Sequence, residues 1–596
     1  MTTGQSISLP LDTSEPVRFA AGELRRYVAA ITGVAPPITP AAAAANSLRL
    51  GAEPMTGIAV ARGGDAFEVQ PTTDGAVIQG ASPRAVLHGV YALLEQFGCR
   101  WSLHSRNEEV VPRFDTLPAV QSIRSAPRYS VRGYSADIMT WHYGDSAQFA
   151  EHLAADYEFV DWMGKSAANA YLFIRHPFDS QLTIPELLPE FARRGIAVEY
   201  GGHVIPLLLP RELFKDHPEF FPQRAGGERT EFGNLCTANA TAMHLASANA
   251  VRYVREHPEL SVLHIWGADL WDGGWCHCAQ CVSATVQDQS LRLCNAVAGA
   301  LAAEGVTRPV CYIAYHDTID PDLHVRPAPG VWVEYAPRER CYGHALDDLT
   351  CRTNRHYRES LERYVELFDG RVRIFEYYAD AILFCGCAVP LAEVIAADLD
   401  YFHRLGIREI TNLQFGAFSL WAYPTNFLAY AAATQAGGCD VAQLRTGYAQ
   451  RFGTHAALMA ATLAELEAIM RNVVTFGDIR RPPTKADAVQ RLRPRVETAT
   501  THLAALADRL KSAGDNPAIA AQHGLLRYTN GVLLGVLHQL DNLPAAADYE
   551  MAMAIMRDID RRFTGLWGAV NLPVIHAYHS HAYDTRANHA REPNTP

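Results

Sequence analysis

Three short runs decide the fold: VCYIA at 310–314, VWVEY at 331–335 and VRIFEY at 372–377. Each is rich in β-branched and aromatic residues and too short for a helix, so each reads as a strand buried on both faces. A segment of helical period, 357–368, lies between the second and third. The same rhythm continues outward on both sides. Strands are expected upstream at 130–136, 170–174, 197–200 and 262–266, and downstream at 409–415. Apolar helical segments at 149–163, 291–303 and 391–405 separate most of them. Eight strands with intervening helices over about 300 residues predict an α/β chain built on a (β/α)8 TIM barrel at 126–430. An open doubly wound sheet is the competing arrangement, but no G-x-G-x-x-G or GK[ST] loop follows any of these strands.

The flanks read differently. Residues 1–125 predict an N-terminal α/β accessory domain. An amphipathic helix at 20–32 and a second at 83–97 stand among short strands at 6–9, 48–51, 66–70 and 75–79. The alanine- and proline-rich stretch 34–46 reads as a loop, and Pro112, Pro118 and Pro127 as a linker. Beyond 430 the strand signals stop, and helical period alone runs through 441–452, 456–473, 485–513, 516–540 and 545–563. This predicts a helical C-terminal domain at 431–596.

Composition narrows the function. The 596 residues are 48% hydrophobic and 19% charged, enough apolar material for large cores and too little charge for disorder. A formal charge of −12 argues against nucleic acid as a partner. The most apolar runs fall short of the ~18 residues a membrane helix needs, so no membrane partner is expected. The first residues, MTTGQSISLPLDTSEP, lack the charged start and apolar stretch of a signal peptide, which predicts a cytoplasmic protein. Most of the 12 cysteines are scattered singly in apolar segments, as buried thiols rather than a disulfide scaffold.

Several motifs resemble a known family. RGIAVEYGGHVIPLLLP, HPEFFP, LCTANAT and HIWGADLWDGGWCHCAQC, with WMGKSAANAYLF and FEYYAD, resemble the bacterial family catalogued as domain of unknown function 4838. One branch of it is glycoside hydrolase family 163, of endo-β-N-acetylglucosaminidase activity. LRRYVAAITG and AVLHGVYALLEQFGCRW look like the accessory domain that precedes the barrel in family 20 hexosaminidases and family 67 α-glucuronidases. The resemblance covers roughly residues 10–470 and implies a glycoside hydrolase with a carbohydrate substrate.

Glycosidic hydrolysis usually needs two carboxyl groups, and in a barrel they sit at the C-terminal ends of strands. Asp269 ends the fourth strand and Glu376 the seventh, the usual placement for retaining glycosidases on this fold, so this pair is expected to be catalytic. Glu334, ending strand six, is the main competitor, followed by Glu339 and Asp380; the plainer reading is that any of these acids pairs with Arg338, Arg340 or His203. Family 20 places an adjacent Asp-Glu pair after strand four, whereas Asp269 is followed by Leu270 and the next acid is Asp272. Acetamido assistance therefore has no motif behind it. His203, after two glycines, is expected to hydrogen-bond a sugar or to pack a loop. Trp141, His142, Arg175, His176, Tyr315 and His316 end strands on the same side. Trp141, Trp266, Trp271, Tyr378 and Trp421 are candidate walls for sugar rings.

Cys276, Cys278 and Cys281 form a C-x-C-x2-C cluster, with Cys236 the best fourth ligand, and this set allows a structural zinc beside Asp269; a disulfide or reduced thiols are the alternatives. No cofactor is expected for catalysis itself. His576, His579 and His581 read as tail residues. The chain is thus expected to be an exo-acting glycoside hydrolase on an N-acetylhexosaminide or related oligosaccharide, retention favoured, with a homo-oligomer left open. An α-glucuronidase-like hydrolase and a non-catalytic carbohydrate-binding protein are the rivals.

Overall fold

The computed structural model describes residues 6–40, 47–52, 64–73, 75–101, 109–136, 146–175, 185–270, 272–381, 383–414, 422–475, 478–511, 513 and 516–563. Six strands precede the barrel: β1 (Ser6–Leu9), β2 (Ile38–Pro40), β3 (Ser47–Ala52), β4 (Phe67–Thr72), β5 (Gly75–Gly80) and β6 (Ile123–Ser125). They form one sheet in the order β2-β1-β3-β5-β4-β6. The helices Glu15–Thr32 and Pro83–Gln96 pack on it around a core of their own that includes Leu24, Tyr27, Ile78, Val90 and Leu94. Ser82 caps the second helix by accepting from the Ala85 N–H, and Gly33 ends the first in the left-handed region. The proline-rich stretch expected to be a loop contains β2. Its prolines fit because β2 is an edge strand, where a missing N–H interrupts no ladder.

Eight parallel strands close into a barrel: β7 (Val131–Ala136), β8 (Ala170–Arg175), β9 (Ala197–Gly202), β10 (Leu260–Ile265), β11 (Val310–Ala314), β12 (Val331–Tyr335), β13 (Val372–Ala379) and β14 (Glu409–Gln414). β14 pairs with β7 to close it. This is the predicted TIM barrel. Side chains alternate across its wall with period two. On the outer face, Tyr312 and Tyr335 meet Tyr364 and Tyr357 of the helix Arg352–Leu367, and the Tyr378 hydroxyl donates to Asp398 of the helix Ala392–Arg404. On the inner face, Arg373 of β13 reaches Glu199 of β9, with 2.8 Å to both carboxylate oxygens. Glu199 accepts from His264 Nε2 at 2.9 Å, and His264 Nδ1 lies 2.9 Å from Glu334 Oε2. These four residues are buried, so charged groups fill the middle of the barrel only because each has a partner of opposite sign.

A buried cluster joins the N-terminal sheet to the barrel. Asp65 accepts from Arg132 and Asn169 at the foot of β7 and β8 and from Arg84 of the helix Pro83–Gln96. Burial opposes its charge, but Arg132 and Arg84 hold the Asp65 carboxyl well below the usual range. The C-terminal helices share one continuous apolar core with the barrel. In the helix Pro517–Leu540, Tyr528 donates to the Cys385 carbonyl at 2.6 Å and Thr529 Oγ1 accepts from the Ala388 N–H at 2.9 Å. The helical region therefore fixes the loop that follows β13. Among the described residues no helix is long and apolar enough to cross a membrane.

Candidate active site

At the C-terminal ends of β9, β10 and β11 a cleft open to solvent is lined by His203, Asp269, Trp275, Tyr315, His316 and Asp317 among others. Each comes from a segment that follows a strand, where a barrel presents its working residues, Trp275 from farther along the loop after β10. β9 can approach β10 closely because Gly201 has no side chain: a Cβ there would lie 2.1 Å from the His264 carbonyl oxygen. His203 follows, and its Nδ1 lies 2.5 Å from the Gly267 carbonyl. A carbonyl only accepts, so Nδ1 carries a proton and donates to it. The ring stands edge-on to Trp266 with centroids 5.5 Å apart.

Among the described residues two carboxyl groups line the cleft. Asp269 is exposed at the end of the β10 extension, and its charge helps hold the Tyr315 hydroxyl up, an effect smaller than that of burial. Asp317 lies on a short turn after β11, and the Trp275 indole N–H donates to its Oδ2. Gly273, at φ +67°, passes so close beneath that a Cβ would lie 2.2 Å from the same oxygen. Although the residue is exposed overall, its carboxyl is packed against this glycine and the indole. Burial raises its proton affinity above the ordinary carboxylate range, with the Trp275 hydrogen bond opposing. His316, between Tyr315 and Asp317, sits at φ +48°, a conformation costing about 1–3 kcal/mol for a residue with a side chain. Its Nδ1 lies 2.6 Å from Glu339.

The expected pairing of Asp269 with Glu376 is not what the fold builds. Arg373, Phe375 and Tyr377 share the inner face of β13, meeting Glu199, Trp266 and Tyr315. Glu376 alternates to the outer face with Ile374 and Tyr378. It is fully buried there beside Arg340, 3.4 Å away, and near Asp398. Burial pushes its carboxyl up to about 7, but it does not line the cleft. Tyr378, expected to stack on sugar, is on the same outer face with its hydroxyl on Asp398.

Asp380 is buried against Arg338. Its Oδ2 accepts from Arg338 Nε at 3.1 Å and Nη2 at 2.9 Å. Glu334 points into the barrel, where its Oε2 also accepts from Trp266 Nε1 at 3.2 Å; its Oε1 is buried without a hydrogen-bond partner among the described residues. Trp141, His142, His176, Trp271, Trp421, His576, His579 and His581 lie outside the described residues, as does the side chain of Arg175. Sequence reading missed Asp317 and Trp275. The signal for Asp317 was its place next to His316, directly after a strand end.

Cys236, Cys276, Cys278 and Cys281 converge just outside the cleft, their sulfurs all within 4.8 Å of one another.

The barrel has solved relatives in shape. A GH138 enzyme targeting pectin rhamnogalacturonan II superposes with a TM-score of 0.56 at 11% identity, over 95% of this chain and 74% of that one. The Streptomyces plicatus N-acetyl-β-hexosaminidase gives a TM-score of 0.48 at 14% identity, over 77% and 92%. The chitobiase of Flavobacterium johnsoniae gives 0.49 at 13%, over 96% and 95%. No curated protein matches in sequence. Residues 103–434, which take in all eight barrel strands, match the family described as Domain of unknown function (DUF4838), and the chain belongs to that family.

Proposed function

We propose that the chain is a glycoside hydrolase. The observation that carries this reading is that two carboxyls in different surroundings, Asp317 and Asp269, line one cleft at the C-terminal end of a TIM barrel. Asp317, raised by burial, is the proton donor to the leaving oxygen. Asp269, exposed and next to the same cleft, is the second carboxylate, acting on the sugar or on water. Tyr315 and Trp275 supply aromatic faces, and His203 Nε2 accepts from a hydroxyl or an acetamido N–H.

The cleft opens to solvent beyond β9, β10 and β11, and exo action on a terminal sugar is the reading we favour for it. None of its described lining residues is Lys or Arg. This favours a neutral sugar such as an N-acetylhexosaminide over a uronic acid, whose carboxylate needs a cation. A second reading puts Glu334 in place of Asp317, supported by its buried and unpartnered Oε1.

The test is a panel of aryl glycosides, covering N-acetylglucosaminides, N-acetylgalactosaminides and glucuronides of both anomers, with Asp269→Asn alongside. Turnover of an N-acetylhexosaminide that Asp269→Asn abolishes supports the reading. Sugar binding without turnover by the wild type points instead to a carbohydrate-binding protein, and turnover of glucuronides alone overturns the choice of substrate.

A further inference from the structure

The four cysteines do not belong to either large apolar core. They form a separate buried group, with Ala238 packed against it. Around them the segments 221–239 and 272–285 are turns and bends with one isolated β-bridge, Gln223 to Arg229, rather than a packed layer, so these segments need another source of cohesion. Cys236 Sγ lies 3.8 Å from Cys278 Sγ and 3.9 Å from Cys281 Sγ. Sulfurs held ~2.3 Å from a tetrahedral metal are about 3.8 Å apart, whereas a disulfide needs ~2.05 Å. The surroundings suit thiolates. The Gln223 N–H points at Cys276 Sγ at 3.4 Å, the Thr237 hydroxyl lies 3.9 Å from Cys281 Sγ, and the Arg229 guanidinium is near enough to interact electrostatically with Cys236, Cys276 and Cys278. A cation beside the group offsets the net negative charge of four thiolates on a divalent ion. Gln289 clamps Cys276 through both its N–H and its carbonyl, at 3.2 Å each.

We infer that Cys236, Cys276, Cys278 and Cys281 bind one zinc ion in a closed, structural site. Four sulfur donors exclude hard cations and leave no open position for a substrate. The ion ties the loop after β10 to the segment before the helix Ala240–Glu256. Trp275 directly precedes Cys276, so the zinc is a positioning device for the indole that holds Asp317.

The test is metal analysis of the whole purified protein, desalted after expression in medium containing both zinc and iron. One zinc per chain is expected, lost in Cys281→Ser and retained in Cys439→Ala, a cysteine outside the group. Because Cys281→Ser risks misfolding, the wild type is also titrated with a mercurial thiol reagent in the presence of a chromogenic zinc chelator. Zinc should appear only as the four thiols react. Folded wild-type protein without stoichiometric metal, or with stoichiometric iron, overturns the proposal. These readouts need no substrate, so they stand or fall apart from the glycosidase reading.

Discussion

Trp275 donates its indole N–H to Oδ2 of Asp317, so the residue that walls one side of the cleft also holds one of its two carboxyls. The bond favours the charged form of Asp317, while burial favours the protonated one. Trp275→Phe removes the bond while keeping an aromatic ring against the carboxyl, so the loss of the bond should dominate and push the carboxyl further up. A proton donor works while protonated, so activity should persist to higher pH. The basic limb of the pH–rate profile should move up by about one unit, given ~1.5 kcal/mol or more for a bond to a charged group. A limb that stays put, or moves to lower pH, shows that Asp317 is not the donor.

Gly273 has two reasons to be glycine: its φ of +67° and the 2.2 Å that would separate a Cβ from Asp317 Oδ2. Gly273→Ala should cost about 1–2 kcal/mol from the backbone alone and displace the carboxyl as well. Thermal unfolding reads the first effect and kcat/KM the second. An alanine variant with wild-type Tm and kcat/KM means the loop relaxes freely and that its position does not matter.

The inner network of the barrel gives a pH window for stability. Burial opposes its charge, yet Arg373 and His264 hold Glu199 down at about 2 against an ordinary 4.5. Its contribution is present above 4.5 and lost as pH falls towards 2. His264, flanked by Glu334 and Glu199, is raised above 6.5 although burial opposes its charge. Its contribution is complete below 6.5 and lost as pH rises through the raised value. The network therefore stabilises most between about 4.5 and 6.5. Glu199→Gln leaves Arg373 and His264 short of a counter-charge, a change costing about 3–5 kcal/mol for a buried pair. Its Tm should fall, and the loss of stability below pH 4.5 should become shallower. Unchanged acid unfolding would mean that Glu199 does not carry this charge.

The eight barrel strands were legible because runs such as 310–314 and 331–335 are apolar on both faces, which only a covered parallel sheet explains. That same property hid the site. Along VRIFEYY both alternating sets contain apolar residues, so the sequence shows that Glu376 and Arg373 lie on opposite faces of the strand but not which face is the interior. The choice is made by Glu199 on β9, 174 residues away, which draws Arg373 inward and leaves Glu376 outside. Asp269 was legible as a cleft residue because it stands a few residues past its strand in HIWGAD. Asp317 and Trp275 were missed because their meeting depends on a turn after β11 and on the loop carrying the four cysteines, neither of which has periodicity. The edge strand β2 was hidden by prolines that an interior strand would not tolerate.

Under the proposed function the cleft beside β10 and β11, and not the buried Glu376 behind β13, does the chemistry. The direct measurement is kcat/KM of Asp269→Asn, Asp317→Asn and Glu376→Gln on the best glycoside of the panel. Each variant should first be shown to be folded by thermal unfolding. The two asparagine variants should lose about 10²–10⁴-fold, the usual contribution of a positioned acid or base, while Glu376→Gln stays close to wild type. Loss of turnover in Glu376→Gln with full activity in Asp317→Asn would contradict this assignment.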